Sequence, residues 1–292
     1  MKQVNITRIG GTFLVNIEQI KDFIKENIKK YGYKGAVVGI SGGIDSAVGG
    51  KLTVDALGSN KVLGLLMPDR DSAPTTLQDS KMMCNFLGIE YKVIKITGAL
   101  RKMGVYKLQP PAELFPRKFQ EKYVRNIWSS ESDDPFLADL QNTGSERILK
   151  GQAYYRIKHR IRMLYLYLEA EQRQYAVIGC ANKSEFLSGF YVKYGDDSSD
   201  IAPISHLHKS EVYEAARMLN IPQRIIDKPP SPDLMPGITD EFALGIKYME
   251  FDRIVKKIEE GKDISDEPDK LVKRVKLIRD NSHYRRIKSL QL

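Results

Sequence analysis

The sequence predicts an α/β fold in which a doubly wound parallel sheet carries flanking helices. Residues 36–40, 62–67 and 175–180 are largely apolar runs, as expected of parallel strands covered on both faces. Residues 91–96 alternate as a further strand, and helical spacing separates the first runs. Strands alternating with helices over about 60 residues are typical of a doubly wound sheet.

The helices are predicted from apolar residues that recur every three or four positions. One amphipathic helix covers about residues 16–30, and a second runs on from Asp45. A third is capped by Thr75 or Thr76 and stopped by Gly88.

Residues 147–162 hold six basic residues and no acidic one. Their apolar seam predicts a helix with a basic flank, which faces either solvent or a polyanion. The seam residues are Tyr154, Ile157, Ile161, Leu164 and Leu168.

Length and composition favour one large domain over residues 1–292, with an irregular excursion at about 104–146. Pro110, Pro111 and Pro116 and a Ser/Asp-rich stretch at 129–135 favour loops and short helices there. Such a segment is a lid, a dimer contact or disordered.

The composition also excludes several classes of protein. No apolar run approaches the roughly 20 residues of a membrane span, and the N-terminus lacks the apolar core of a signal peptide, so we expect a cytoplasmic protein. The two cysteines are too few for a disulfide framework, and without a Cys/His cluster zinc binding is not expected. The net charge of +9 suits either a nucleotide or a nucleic acid.

The chemistry is predicted to begin at residues 38–46, which join the first buried strand to a helix. Gly42 and Gly43 are able to adopt positive φ and let an anion approach the backbone. The amides at the helix start, with the hydroxyls of Ser41 and Ser46, then form a phosphate cradle. The alternative is an ordinary glycine-rich turn.

Asp45 stands where a standard phosphate loop has lysine, and this predicts a cation between the carboxylate and the phosphates. Mg²⁺ suits both kinds of oxygen. Glu185 follows the 175–180 strand and reaches the same crevice if the two strands are neighbours; otherwise it is only an acid favoured by a helix dipole. Arg70, after the 62–67 strand, approaches the nucleotide or lies in a solvated turn.

Several motifs in one order resemble a known family. SGGIDS at 41–46 is similar to the pyrophosphate loop of the N-type ATP pyrophosphatases. With GCANKSE, GFYVKYGDDSSDIAPISHLHK, KPPSPDL and ITDEFALGIKY over residues 179–248, the chain resembles the NAD synthetase family. The resemblance implies a Rossmann-like fold of the adenine nucleotide alpha hydrolase type. It also implies amidation of deamido-NAD through an acyl-adenylate, with AMP and pyrophosphate released.

The resemblance further implies a role for individual residues. Asp45 and Lys209 are the implied catalytic residues, and Asp45 and Glu185 the implied Mg²⁺ ligands. Deamido-NAD would be bound by Arg160, Lys193, Asp200 and His283. ATP would be bound by Gly39, Ile40, Ser41, Gly42, Gly43, Ile44, Asp45, Ser46, Cys180, Lys209 and Ser231.

The family resemblance also implies a homodimer, to which Phe115, Phe119, Tyr123 and Trp128 would contribute. Because no further hydrolase domain is visible, free ammonia or a separate glutaminase is the implied nitrogen source. Membrane association is not expected, and nucleic acid is a disfavoured partner.

The chain departs from the family pattern at three places. Cys180 replaces a threonine and is interpreted as a small buried residue rather than a nucleophile. Residues 154–156 read Tyr-Tyr-Arg for Lys-Gly-Asn, and residues 283–285 read His-Tyr-Arg for His-Lys-Arg, so Tyr155, Arg156 and Tyr284 alter the substrate side. The alternatives are a tRNA-modifying or other carboxylate-amidating enzyme of the superfamily, or a nucleotide-binding regulator without turnover.

Overall fold

The structure is a computed structural model that describes residues 8–9, 12–13, 15–109, 115–130, 132–287 and 289. Two short strands, β1 (Arg8–Ile9) and β2 (Thr12–Phe13), pair antiparallel. The central sheet contains β3 (Gly35–Gly39), β4 (Val62–Leu66), β5 (Glu90–Val93) and β6 (Tyr175–Ile178).

The central sheet is parallel throughout, with the strand order β5–β4–β3–β6. Ala36 of β3 lies opposite Val62 of β4 and opposite Ala176 of β6. The strand order reverses between β3 and β6, so the loops after these two strands diverge and leave a crevice at their carboxyl ends. The predicted doubly wound sheet is therefore confirmed, and it places the residues that follow β3 and β6 side by side.

Helices cover the sheet and extend beyond it. In chain order they are α1 (Ile17–Lys30), α2 (Ile44–Leu57), α3 (Thr76–Leu87), α4 (Thr97–Lys102), α5 (Arg117–Ser130), α6 (Pro135–Gln141), α7 (Glu146–Arg173), α8 (Lys183–Ser188), α9 (Lys209–Met218), α10 (Gln223–Ile226), α11 (Asp240–Leu244), α12 (Tyr248–Glu259) and α13 (Asp269–Ser282). Short 3₁₀ helices occupy Ser59–Lys61, Val105–Lys107 and His283–Arg286.

The buried apolar side chains form three clusters. One lies between the sheet and helices α1, α2, α3, α9 and α10, and a second lies on the opposite face under α4 and α7. The third joins α6, α12 and α13 away from the sheet. The sheet is thus covered on both faces, which explains its continuous apolar runs.

The excursion is more regular than predicted. Between residues 104 and 146 the structure has α5, a helix of 14 residues, and α6. Prolines suggested loops there, but Pro116 precedes α5 and Pro135 opens α6, at positions where the missing N–H costs nothing. Pro110 and Pro111 lie outside the described residues.

Candidate active site

The loop between β3 and α2 is closed by its own serines. Ser46 Oγ accepts a hydrogen bond from Ser41 N at 3.2 Å and donates one to Gly43 O at 3.0 Å. Ser41 Oγ accepts from Gly43 N at 3.2 Å. Within the described residues no side chain caps α2 at Gly43, so an anion can accept from the first amides of the helix.

Gly42 fixes the shape of this loop. Its φ is +74°, and a Cβ placed on it would lie 2.8 Å from Cβ of Asp79. Any other residue would therefore strain the backbone and collide with α3. Gly43 does not use this freedom: its φ is −97°, because an extended N-cap suffices to turn the chain into α2.

Lys209 joins the two carboxylates that the sequence predicted to bind a metal. It is the first residue of α9 and is buried, and its Nζ lies 2.5 Å from Asp45 Oδ2 and 3.3 Å from Glu185 Oε1. Because β3 and β6 are neighbours, Asp45 and Glu185 do reach the same edge of the sheet.

Asn182 orients both carboxylates, and the sequence analysis missed it. Its Nδ2 donates to Asp45 Oδ1 at 2.8 Å, and its Oδ1 accepts from Glu185 N at 3.0 Å. The backbone N–H of Asn182 donates to Glu185 Oε2 at 3.1 Å. The available signal was the capping box that Asn182 and Glu185 form at the start of α8.

The electrostatics of this group favour a cation between the carboxylates. Burial raises the pKa of Glu185 well above its ordinary value, and the charge of Asp45 adds to the shift. Burial lowers the pKa of Lys209, but Asp45 and Glu185 outweigh burial, so that its pKa is raised overall. Lys209 therefore keeps its proton and compensates the two acids.

A second buried acid lies behind Lys209. Tyr248 OH donates to Asp240 Oδ2 at 3.2 Å, and the Tyr248 ring centre lies 5.1 Å from Lys209 Nζ. The other carboxylate oxygen of Asp240 is buried without a hydrogen-bond partner in the described part of the chain. Burial raises the pKa of Asp240 to about 6, although Lys209 opposes the shift.

A cavity of about 230 Å³ opens at the carboxyl ends of β3, β4 and β6. Its lining combines backbone of the strand ends with the serines and carboxylates of the site. The predicted ATP residues that line it are Gly39, Ile40, Ser41, Asp45, Ser46 and Cys180, together with Glu185. Ser72 and Thr76 line it from the loop after β4, whereas the guanidinium of Arg70 stacks 3.7 Å from the Tyr106 ring centre.

Cys180 and Ser231 occupy different positions relative to this cavity. A Cβ on Gly49 would lie 2.7 Å from Cys180 Sγ, so the thiol packs against α2. Burial raises the pKa of Cys180 to about 12, which supports its interpretation as a non-nucleophilic residue. Ser231 is exposed, and its hydroxyl donates to Ile238 O at 3.1 Å, while the neighbouring Pro232 and Asp233 line the cavity.

Three predicted substrate residues lie along one flank of α7. Arg160 Nε donates to Lys193 O at 3.2 Å, and Tyr167 OH contacts Asp200 Oδ1 at 3.5 Å. Arg160 and Tyr167 are two helical turns apart on the same side of α7, a distance of about 10 Å. His283 is exposed in the 3₁₀ helix His283–Arg286.

Comparison with known proteins identifies the family. The sequence profile of NAD synthase matches residues 16–124 and 117–288. The chain belongs to the NAD synthase family. It is 54% identical over 270 residues to the NH(3)-dependent NAD(+) synthetase of Thermotoga maritima, covering 92% of this chain and 96% of the relative.

Solved structures agree with this membership. The NH3-dependent NAD synthetase of Campylobacter jejuni, in complex with the nitrate ion, has a TM-score of 0.68 and 28% identity, covering 94% of this chain and 97% of that one. The NMN synthetase of Francisella tularensis has a TM-score of 0.68 and 29% identity, covering 94% and 95%. Across the part of the chain that the structure describes, we find no helix with the length and apolarity needed to cross a membrane.

Two of the altered residues, Tyr155 and Arg156, meet at one buried carboxylate, Asp139 of α6. Tyr155 OH donates to it, and Arg156 Nη2 donates to its Oδ1 at 2.9 Å. Arg285 Nη2 donates to Oδ2 at 2.7 Å, and Arg285 Nη1 donates to Gly189 O and Tyr191 O, each at 2.9 Å. The side chain of Tyr284 lies outside what the structure describes.

Most basic residues of the flank predicted on α7 form contacts with other residues of the same chain. Lys158 is fully buried, with its Nζ 2.8 Å from Asp69 Oδ2 and 2.5 Å from Asp71 Oδ2. Arg162 Nε donates to Met67 O at 3.0 Å. Lys158 therefore faces neither solvent nor a polyanion, whereas Arg162 also lines the cavity at the carboxyl ends of the strands.

The apolar seam predicted on α7 holds only at its beginning. Tyr154 and Ile161 are buried, whereas Leu164 and Leu168 are 60% and 50% exposed. A seven-residue repeat drifts by about 20° per heptad around a straight helix, and α7 has 28 residues. Ala170 therefore faces the sheet at the far end instead.

The excursion encloses an apolar cavity of about 500 Å³ between α5 and α7. Phe119, Ile127 and Trp128 line it from α5, and Ile148 and Tyr155 line it from α7. Phe115, Phe119 and Tyr123 remain largely exposed at its rim.

A lysine beside the phosphate loop was also missed. Lys228 Nζ lies 3.0 Å from Asp79 Oδ2 and donates to Gly42 O at 3.4 Å. Its only signal in the sequence was the KPPSPDL motif, because Lys228 and Asp79 lie 149 residues apart.

Proposed function

We propose that the protein amidates the nicotinate carboxylate of deamido-NAD with ammonia, and that cleavage of ATP to AMP and pyrophosphate drives the reaction. It is a ligase that forms a C–N bond. The observation that carries the proposal is the junction of the phosphate loop, Asp45, Glu185 and Lys209 at one crevice, in a chain half identical to an NH(3)-dependent NAD(+) synthetase.

The reaction proceeds in two steps. An oxygen of the substrate carboxylate attacks the α-phosphorus of ATP, and the bond from that phosphorus to the bridging oxygen breaks. Pyrophosphate leaves with the bonding electron pair towards the amides at the start of α2, and an acyl-adenylate remains. Ammonia attacks the activated carbonyl, the bond from that carbon to the AMP oxygen breaks, and AMP leaves with the electron pair; the nitrogen loses one proton to solvent and the amide remains.

The residues of the chain act by binding and orienting charge. The α2 amides and the hydroxyl of Ser41 accommodate the negative charge that develops on the leaving group, while Ser46 shapes the loop by donating to Gly43 O. Lys209 is buried between Asp45 and Glu185 and holds the two carboxylates together. The protonated thiol of Cys180 takes no part as a nucleophile.

The donor set at this site fits Mg²⁺. Asp45 and Glu185 provide hard carboxylate oxygens, which face the ammonium group of Lys209. Among the described residues there is no cluster of three or more acidic, histidine or cysteine side chains that could hold a metal without further ligands. Mg²⁺ commonly takes one or two protein carboxylates and completes its shell with phosphate oxygens and water. When bound, it would neutralise phosphate charge during pyrophosphate departure.

Arg160, Lys193 and Asp200 support binding of an extended dinucleotide. Their placement along about 10 Å of one flank of α7 suits a ligand with separated charged groups. His283 would approach from the C-terminal 3₁₀ helix, whose Arg285 is bonded to the segment that contains Lys193.

We also propose that the protein is a cytoplasmic homodimer supplied with free ammonia or with ammonia from a separate glutaminase. The exposed apolar side chains of Phe115, Phe119, Leu164 and Leu168 support an interface between two copies. The tRNA-modifying alternative loses its main support, because the basic residues of α7 that suggested it are engaged within the chain.

One assay tests the proposed function. The purified protein is incubated with ATP, Mg²⁺, ammonium and deamido-NAD, and AMP and NAD are quantified together. Equal amounts of AMP and NAD are expected. Absence of substrate-dependent AMP would refute a synthetase. A parallel incubation with nicotinic acid mononucleotide shows whether the dinucleotide is preferred, and faster AMP formation with the mononucleotide would contradict that preference.

A further inference from the structure

The positive charge available at the phosphate loop does not come from Lys209 alone. Lys209 is buried and shared between Asp45 and Glu185, so its single charge is already balanced by two carboxylates. A leaving pyrophosphate carries several negative charges and needs cationic partners that are not already neutralised.

On the other side of the loop, Asp79 forms ion pairs with two cationic side chains. Its carboxylate is buried and pairs with Arg224 at 2.8 Å through Oδ1 and with Lys228 at 3.0 Å through Oδ2. Two cations share one anion, which leaves one net positive charge. If Lys228 turns away, Arg224 still compensates the buried Asp79.

Lys228 lies close to the loop. Its Nζ donates to Gly42 O at 3.4 Å, and Gly42 is held in place by its positive φ and by contact with Asp79. The side chain of Lys228 is 27% exposed, so rotation about its own bonds is open to it. The bond to Gly42 O is long and is readily exchanged for a charged phosphate oxygen.

We propose that Lys228 is a catalytic residue that contacts the pyrophosphate leaving group at the Gly42 side of the loop. As the bond from the α-phosphorus to the bridging oxygen breaks, the electron pair passes to pyrophosphate, and the Lys228 ammonium donates hydrogen bonds to its oxygens. No proton is transferred. Asp79 is a positioning residue that holds the ammonium beside Gly42. The inference deepens the proposed function and rests on it for the identity of the reaction.

The test measures binding of inorganic pyrophosphate by calorimetry, with and without Mg²⁺ and without deamido-NAD. Lys228→Met keeps the aliphatic chain and removes the charge. Loss of a hydrogen bond to a charged group predicts about 10–100-fold weaker binding. Lys228→Arg should restore most of the affinity because it restores the positive charge.

Lys51→Met is the matched control. Lys51 is 26% exposed and pairs with Asp55 on α2, so the variant removes an equal charge at equal exposure away from the loop mouth. Its pyrophosphate affinity should stay within about twofold of the wild type. Melting curves of both variants check that the fold is intact, and Lys228→Gln serves as a second variant if Lys228→Met does not fold.

Wild-type pyrophosphate affinity in Lys228→Met overturns the proposal, and so does an equal loss in Lys51→Met. Selective weakening in Lys228→Met supports it. The binding test contains no deamido-NAD, so its result does not depend on NAD formation. If the protein makes no NAD but still needs Lys228 to bind pyrophosphate, the proposed function is refuted and the proposed role of Lys228 is not. In a chain that makes NAD, Lys228→Met should lower kcat and leave the KM for deamido-NAD unchanged.

Discussion

Asp139→Asn should destabilise the protein at the junction of the excursion and the C-terminus. The Asp139 carboxylate is buried and accepts hydrogen bonds from Arg156 at 2.9 Å and from Arg285 at 2.7 Å. Asparagine has nearly the same shape but no charge, and its NH₂ group would face a guanidinium. Both arginines would then be left without their anion.

The size of the effect follows from this burial. Removing one partner of a buried ion pair costs about 3–5 kcal/mol. We expect the lower end, about 3 kcal/mol, because both guanidiniums keep a bond to the Asp139 carbonyl oxygen at 2.8 Å. At about 2 °C per kcal/mol, the melting midpoint should fall by about 6 °C.

The assay is a thermal melt at fixed protein concentration and scan rate, followed by far-UV circular dichroism. Glu146→Gln is the control, because its carboxylate is 83% exposed and, within the described part of the chain, forms its ion pair with Lys150; its midpoint should stay within about 1 °C of the wild type. A shift in Asp139→Asn as small as in the control would refute the reasoning.

The same variant has a kinetic consequence. Arg285 donates to both Asp139 and the carbonyls of Gly189 and Tyr191, which precede Lys193. Loosening Arg285 should therefore raise the KM for deamido-NAD more than the KM for ATP. Equal changes in both KM values would mean that the bridge is only structural.

Three further predictions concern single side chains. Asp45→Asn should abolish NAD formation and weaken Mg²⁺-dependent ATP binding, since it removes one of two proposed metal ligands; near-normal turnover would contradict this. Iodoacetamide at pH 8 should leave Cys180 unmodified in the folded protein and label it after unfolding, as judged by mass spectrometry, because burial raises its pKa to about 12. Burial raises the pKa of Asp71, but Lys158 and Tyr154 outweigh it, and the net pKa is lowered. Asp71 thus stabilises the fold above the unfolded pKa of about 3.9. This contribution to the free energy of unfolding should be lost as the pH falls through the lowered pKa of the folded state. Urea melts at a series of pH values should therefore show a weaker pH dependence of the unfolding free energy for Asp71→Asn than for the wild type.

The sequence predicted the fold and the polar loop because both depend on local signals. Apolar runs located the strands, and glycine between a strand and a helix located the cradle. The meeting of Asp45 and Glu185 was conditional on strand order, which the sequence does not state but the β3–β6 pairing supplies. Residue type permits a positive φ at Gly42 and Gly43 alike, and the structure shows that Gly42 adopts it whereas Gly43 does not.

The remaining errors arose where a charge meets its partner. Lys158 looked like part of a basic flank, but its partners Asp69 and Asp71 lie more than 80 residues away and bury it. Acids that neutralise a basic run need not lie in that run, so their absence from residues 147–162 says little about the surface. A helix pattern identifies which side chains share a face, and it does not identify what that face touches.

The same limit explains how positive charge is divided around the loop. In the sequence, Lys209 and Lys228 lie in two separate motifs, and the family resemblance singled out Lys209 alone. In the structure Lys209 pairs with two carboxylates, those of Asp45 and Glu185. Lys228 pairs with the Asp79 carboxylate, which also pairs with Arg224. A lysine held by two acids is best suited to organise a cation site, whereas a lysine with a spare charge beside Gly42 is best suited to meet an anion. Which lysine serves the leaving group is therefore decided by pairing rather than by motif.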